Sequence, residues 1–129
     1  MTAATKLPLG HYMFTWKDFW HGYETGSYVV LMIDGATGVP IAYNAGHATR
    51  APSCPPVDEL RAQRLALRHI EETMPAGAAI RAVGSRCVLS VPSAAGGPVW
   101  FISIEVGPAE LHDRRLVFID GATGEVIHR

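Results

Sequence analysis

Ile33-Asp34-Gly35-Ala36-Thr37-Gly38 returns residue for residue as Ile119-Asp120-Gly121-Ala122-Thr123-Gly124, and the reading of this string decides the fold. Each copy follows a β-branched or aromatic run, Tyr28-Val29-Val30-Leu31-Met32 in one case and Arg115-Leu116-Val117-Phe118 in the other. Each precedes a shorter apolar stretch, Val39-Pro40-Ile41-Ala42-Tyr43 or Glu125-Val126-Ile127-His128. Such flanks suit strands. The string between them has turn chemistry, because an Asp side chain accepts hydrogen bonds from backbone N–H groups two residues on and glycine tolerates positive φ. The spacing predicts hairpin loops of about four or five residues, closed by Gly38 and Gly124. The same strand-turn-strand unit is therefore expected twice, and aligning the halves sets Tyr12 to Trp16 against Trp100 to Ile104. An Asp-x-x-Thr-Gly string also suggests a phosphate or metal loop, but the Lys, the extra carboxylates and the following helix that such loops need are missing.

Outward from the first hairpin, Tyr12-Met13-Phe14-Thr15-Trp16 reads as an aromatic strand behind a short tail, and Lys17 to Ser27 as an excursion ending in Tyr23-Glu24-Thr25-Gly26. Residues 44–56 turn to Gly, Ala, Ser, Thr and Pro, the composition of a connector without regular structure. Pro55-Pro56 then prepares a helix over 57–74, with Leu60, Leu67, Ile70 and Met74 at helical intervals, Asp58 and Glu59 at its positive start, and Pro75 and Gly77 beyond its end. Arg61, Arg64, Arg68, Glu71 and Glu72 form the opposite, solvated face. Ile80 to Val83 and Cys87 to Val91 suggest one bulged strand broken around Gly84, followed by a turn at residues 94–97. Val99 to Val106 is the most strand-like run, and a second excursion from Gly107 to Asp113 leads into the second hairpin. The expectation is a single α+β domain over 1–129, an antiparallel sheet of two hairpin units (11–43 and 79–128) with one main helix packed across it.

The 129-residue length fits one core. A formal net charge of −1 with scattered Lys and Arg gives no footprint for a phosphate backbone, so nucleic acid is not an expected partner. The first ten residues lack an uninterrupted apolar core, and no segment approaches the roughly 18 apolar residues of a membrane span; the expected setting is cytoplasmic, with no membrane partner. Cys54 and Cys87 then read as free thiols, Cys87 buried in its apolar run and Cys54 in an exposed loop.

From the helix onward, the Trp-Phe-Ile-Ser-Ile strand and the string from Phe118 to Ile127 with its Asp-x-x-Thr-Gly-Glu-Val turn resemble a PepSY-type module. In the N-terminal half the aromatic strand from His11 to Trp16, the Tyr23-Glu24-Thr25-Gly26 segment and the Ile33-Asp34 to Gly38 hairpin resemble the YrhB-like bacterial immunity-protein family. The first resemblance implies protease inhibition or protein binding, commonly outside the cytoplasm. The second implies neutralisation of a toxin by binding it.

Six histidines (His11, His21, His47, His69, His112, His128) raise the question of a metal, but neither His-x-x-x-His nor Cys-x-x-Cys spacing occurs, and neither metal nor cofactor is expected. The aromatic series Tyr12, Phe14, Trp16, Phe19, Trp20 and Tyr23 exceeds what one strand needs for its core face, because alternation sends side chains to both sides of a sheet. Trp16, Trp20 and Tyr23 are the candidate binding residues, aromatics with a polar handle being favoured at interface centres. The alternative to a protein partner is that these residues pack beneath the helix or across a homodimer. A small enzyme of peptide or natural-product modification is the other function class, with His21, Tyr23 and Glu24 as an acid-base group, Asp18 and Arg50 completing a pocket and a peptide as substrate.

Overall fold

A computed structural model describes residues 2–48, 50–75, 77–91, 97–108 and 113–127. The order is β1 (Ala3–Lys6), β2 (His11–Trp20), β3 (Tyr23–Asp34), β4 (Pro40–Gly46), α1 (Glu59–Thr73), β5 (Ile80–Val88), β6 (Val99–Val106), β7 (Asp113–Asp120) and β8 (Val126–Ile127). The eight strands of the described residues belong to one sheet, ordered β1-β2-β3-β5-β6-β7-β8, with β4 beside β3. The pairings are antiparallel except for a single parallel bridge, Glu24 to Val88, that joins the two halves.

Both Ile-Asp-Gly-Ala-Thr-Gly strings are hairpin turns. In the first, Ala36 N–H donates to Asp34 Oδ1 at 2.9 Å and Gly38 N–H to Asp34 O at 2.8 Å. In the second, Ala122 and Thr123 donate to Asp120 Oδ1 at 2.8 and 3.2 Å, and Gly124 N–H to Asp120 O at 2.8 Å. These Asp-centred bonds close the turn within a few residues, while Gly35 N–H and Gly121 N–H tie the strings outward, to Gly10 O at 3.0 Å and Pro98 O at 2.8 Å.

The N-terminal expectations need correction in three places. The tail contains β1, whose Ala3–Lys6 pairs with Thr15–Tyr12; Ala-Ala-Thr-Lys has no apolar alternation, and the strand forms because the edge of β2 offers unpaired backbone groups. The excursion from Lys17 to Ser27 is instead the continuation of β2 and β3, joined by a two-residue turn in which His21 (φ 49°) and Gly22 (φ 84°) both take positive φ, the geometry that matches strand twist. The connector starts later than Asn44, because β4 runs to Gly46.

Asp58 caps α1 by accepting from Arg61 N–H at 2.8 Å. The helix meets the sheet through Ala62, Ala66 and Ile70, spaced i, i+4, i+8, while Leu60 is 56% exposed. Leu60 was expected on the core face. Two alanines hold that line instead, because small side chains let the helix axis approach β6 closely enough for Ile102, Ile104 and Ile119 to be fully buried. Trp100, on the same strand, donates its indole N–H to Val57 O at 2.8 Å and so fixes the approach to the helix. The core consists of Val57, α1 and the strands β5 to β7, with Leu89 just beyond β5. The bulge expected near Gly84 is present as a register shift between Ala82 and Gly84. The turn at 94–97, most of the second excursion, His112 and His128 lie wholly or partly outside the described residues. No helix among the described residues is long and apolar enough to cross a membrane.

Candidate functional site

Strand alternation assigns two faces to the sheet, and Tyr23-Glu24 shows which is which. The Tyr23 ring meets Trp100 edge-on at 6.1 Å on the face that α1 covers. Glu24 points to the opposite face, where its carboxylate takes Lys17 Nζ at 3.1 Å and the guanidinium of Arg86. Lys17 comes from β2, Glu24 from β3 and Arg86 from β5, so this three-residue ion cluster straddles the seam at which the halves join. Leu89 N–H donates to Glu24 O at 2.7 Å beside it. One step on, Gly26 (φ +100°) brings β3 so near the following chain that a Cβ there would stand 2.4 Å from Ser90 O. Thr25 donates to Asp18 Oδ2 at 3.0 Å across the register slip between Lys17 and Phe19. Glu24-Thr25-Gly26 is thus the seam itself: a charge clamp, a hydroxyl tie and a close approach.

Around the clamp the face away from α1 forms a cleft of about 360 Å³. Val30, Val88, Val91 and Phe101 supply apolar wall, while Lys17, Glu24 and Arg86 supply the charge. Arg86 also lies over the Phe101 ring, 4.8 Å from its centroid, and Phe101 stacks edge-on with Phe118 at 5.1 Å.

The second surface lies on the other face of β2 to β4. Alternation places Tyr12, Phe14 and Trp16 there beside Ile33, Leu31 and Val29 of β3. Tyr43 of β4, paired with Leu31, extends the patch and is 70% exposed. The corresponding positions of β6 and β7, among them Trp100, Ile102, Ile104, Val117 and Ile119, are buried against α1 and its surroundings. The helix makes its main contacts with β5 to β8, and no α-helix among the described residues covers the β2–β4 face.

The proposed residues therefore divide. Trp16, 37% exposed and 6.3 Å from the Phe14 ring, belongs to the helix-free face. Trp20 and Tyr23 are partly buried against the helical core, and Trp20 meets the His21 ring edge-on at 4.3 Å. His21 is exposed in its turn, and the adjacent Tyr23 and Glu24 point to opposite faces, so alternation separates two members of the suggested acid-base group. Asp18 is tied to Thr25, and Arg50 lies on the connector near Cys54. Lys17 and Arg86 were missed; extending strand alternation to Trp20 would have put Lys17 beside Glu24, whereas Arg86, 62 residues from Glu24, leaves no local signal.

Burial holds Cys87 as a neutral thiol, its pKa pushed up to about 12, and also raises the phenol of Tyr23; Cys54 is exposed. Among the described residues no group of three or more His, Cys, Asp or Glu side chains gathers as a metal site would require. Comparison with known proteins finds no matching family model, no matching curated protein and no matching solved structure.

Proposed function

We propose that this chain is a non-catalytic protein-binding module of the immunity or inhibitor kind, working in the cytoplasm, whose binding surface is the helix-free face of β2 to β4. One observation carries the reading: Tyr12, Phe14, Trp16, Leu31 and Ile33 stand where, in the other half, an aromatic and aliphatic set is buried beneath a helix. A contiguous apolar patch of this kind marks an interaction site. The two meanders are then copies of one unit, in line with the PepSY-like and immunity-protein-like strings, of which only one copy carries its own cover. The occupant is a second copy of this chain. Tyr12, Phe14, Trp16, Val29, Leu31, Ile33 and Tyr43 are uncharged, and Lys6, paired with Tyr12, stands at the β1 edge of the set, so the centre of the face lies against itself without like-charge repulsion, which a two-fold interface requires.

Sedimentation of the wild type and of Leu31→Lys, both shown folded by circular dichroism, tests this. The expected result is a wild-type dimer and a monomeric variant. A wild type that stays monomeric at about 100 μM overturns the second copy as occupant, a range far weaker than the micromolar affinity of ordinary interfaces. If a protein made from an adjoining gene then binds and Leu31→Lys abolishes that binding, the face stands with a different occupant; if Leu31→Lys leaves such binding intact, the face itself is wrong.

The enzyme reading rests on His21, Tyr23 and Glu24. Loss of turnover at unchanged binding in Glu24→Ala or His21→Ala would support it, and the observation nearest to favouring it is the partly desolvated phenol of Tyr23.

A further inference from the structure

The cleft on the opposite face is independent of the helix-free surface, and its composition specifies a ligand. Its volume of about 360 Å³ falls within the roughly 300–1,000 Å³ of small-molecule sites. Its apolar walls are Val30, Val88, Val91 and Phe101, with Tyr28, Thr15 and two serines also lining it, and its charged side chains are two cations, Lys17 and Arg86, and one anion, Glu24. Glu24 holds both cations in place, yet its single charge leaves one positive charge uncompensated at the edge of an apolar hollow. Arg86 engages Glu24 through Nε, and its side chain remains 51% exposed. Its guanidinium is braced against Phe101 and therefore reaches a ligand with little further loss of side-chain freedom.

We propose that this cleft binds a small monoanionic amphiphile, an aliphatic carboxylate whose chain lies against Val30, Val88, Val91 and Phe101 and whose carboxylate meets Arg86 and Lys17. Glu24 is here a positioning residue that restrains the affinity by competing for the same cations. Its effect on binding is therefore opposite in sign to that of Arg86.

The test is calorimetric titration of the full chain with decanoate, decanol and decyltrimethylammonium, the ionic ligands kept below their micelle concentrations and decanol below its solubility limit. The expected result is saturable 1:1 binding of decanoate, about tenfold tighter than decanol, with the cationic analogue weakest; tenfold is the scale of one charge-assisted contact at a partly exposed site. Arg86→Gln should weaken decanoate about tenfold and leave decanol unchanged, while Glu24→Gln should tighten decanoate. General damage to the fold would weaken both ligands in both variants. Equal affinity for decanoate and decanol, no binding of decanoate at millimolar concentration, or a Glu24→Gln variant that weakens decanoate while leaving decanol unchanged overturns the proposal. So does sensitivity of decanoate binding to Leu31→Lys with indifference to Arg86→Gln, which would place the ligand on the helix-free face and leave the protein-binding reading untouched.

Discussion

The meander under the helix and the meander without one each run antiparallel strands into an Ile-Asp-Gly-Ala-Thr-Gly turn, and they differ in what lies over them. His11 pairs with Asp34 as Val99 pairs with Asp120, and each Asp then closes its hairpin. Yet β6 buries Trp100, Ile102 and Ile104, while β2 leaves Tyr12 and Phe14 half-buried and Trp16 exposed. The sheet thus continues across both halves, whereas a dry core forms only where a second layer covers it. The seam between the halves is short: one parallel bridge and the Leu89 to Glu24 bond, reinforced by the Lys17-Glu24-Arg86 clamp and by Trp20 and Tyr23 packed against the covered core.

The contrast is tested most strongly by truncation. Ile102→Ala removes a fully buried side chain beneath α1 and is expected to cost about 3–4 kcal/mol in urea unfolding, whereas Phe14→Ala at a half-exposed position is expected to cost about 1 kcal/mol in the monomer. Equal costs would show that the N-terminal face is covered in solution. At the seam, Glu24→Gln leaves Lys17 and Arg86 facing each other without their carboxylate and is expected to destabilise by about 2 kcal/mol, with hydrogen exchange rising first in β1 to β4. Uniform exchange through both halves would mean that they open together.

A smaller effect is a pH dependence at the boundary of the two halves, where Tyr23 of β3 and Cys87 of β5 lie. Cys87 is raised in the folded state from 9.0 to about 12, so the unfolded chain ionises first as the solution becomes basic. Its contribution to stability is complete below about pH 9 and is lost as pH rises toward 12, about 1 kcal/mol being gone by pH 10. The raised phenol of Tyr23 adds to the same trend above its usual 10.0. Cys87→Ala should flatten this slope, and a thiol reagent at neutral pH should label Cys54 but reach Cys87 only on unfolding. The least effect is expected at the turns. Asp34→Ala loses one side-chain bond to the backbone and Asp120→Ala loses two, so the costs should be about 0.5 and about 1 kcal/mol, read from the same unfolding curves.

The sequence by itself determined the local geometry: the Asp-x-x-Thr-Gly turns, whose Asp-centred hydrogen bonds close within a few residues, and the helix start at Asp58, whose cap lies three residues from its donor. These rest on contacts between near neighbours, which is why residue type and spacing sufficed. Tertiary structure decided the rest. Pairing with β2 made a strand of Ala3–Lys6, which has no strand pattern of its own, and a two-residue turn centred on His21 drew Lys17 to Ser27 into the sheet. Closeness of approach chose Ala62 and Ala66 over Leu60 as the helix's contact line. Arg86 came to Glu24 across 62 residues, and the helix settled over one meander and not the other. Such outcomes depend on which surfaces meet after the chain has folded back on itself, and no window of sequence contains both partners.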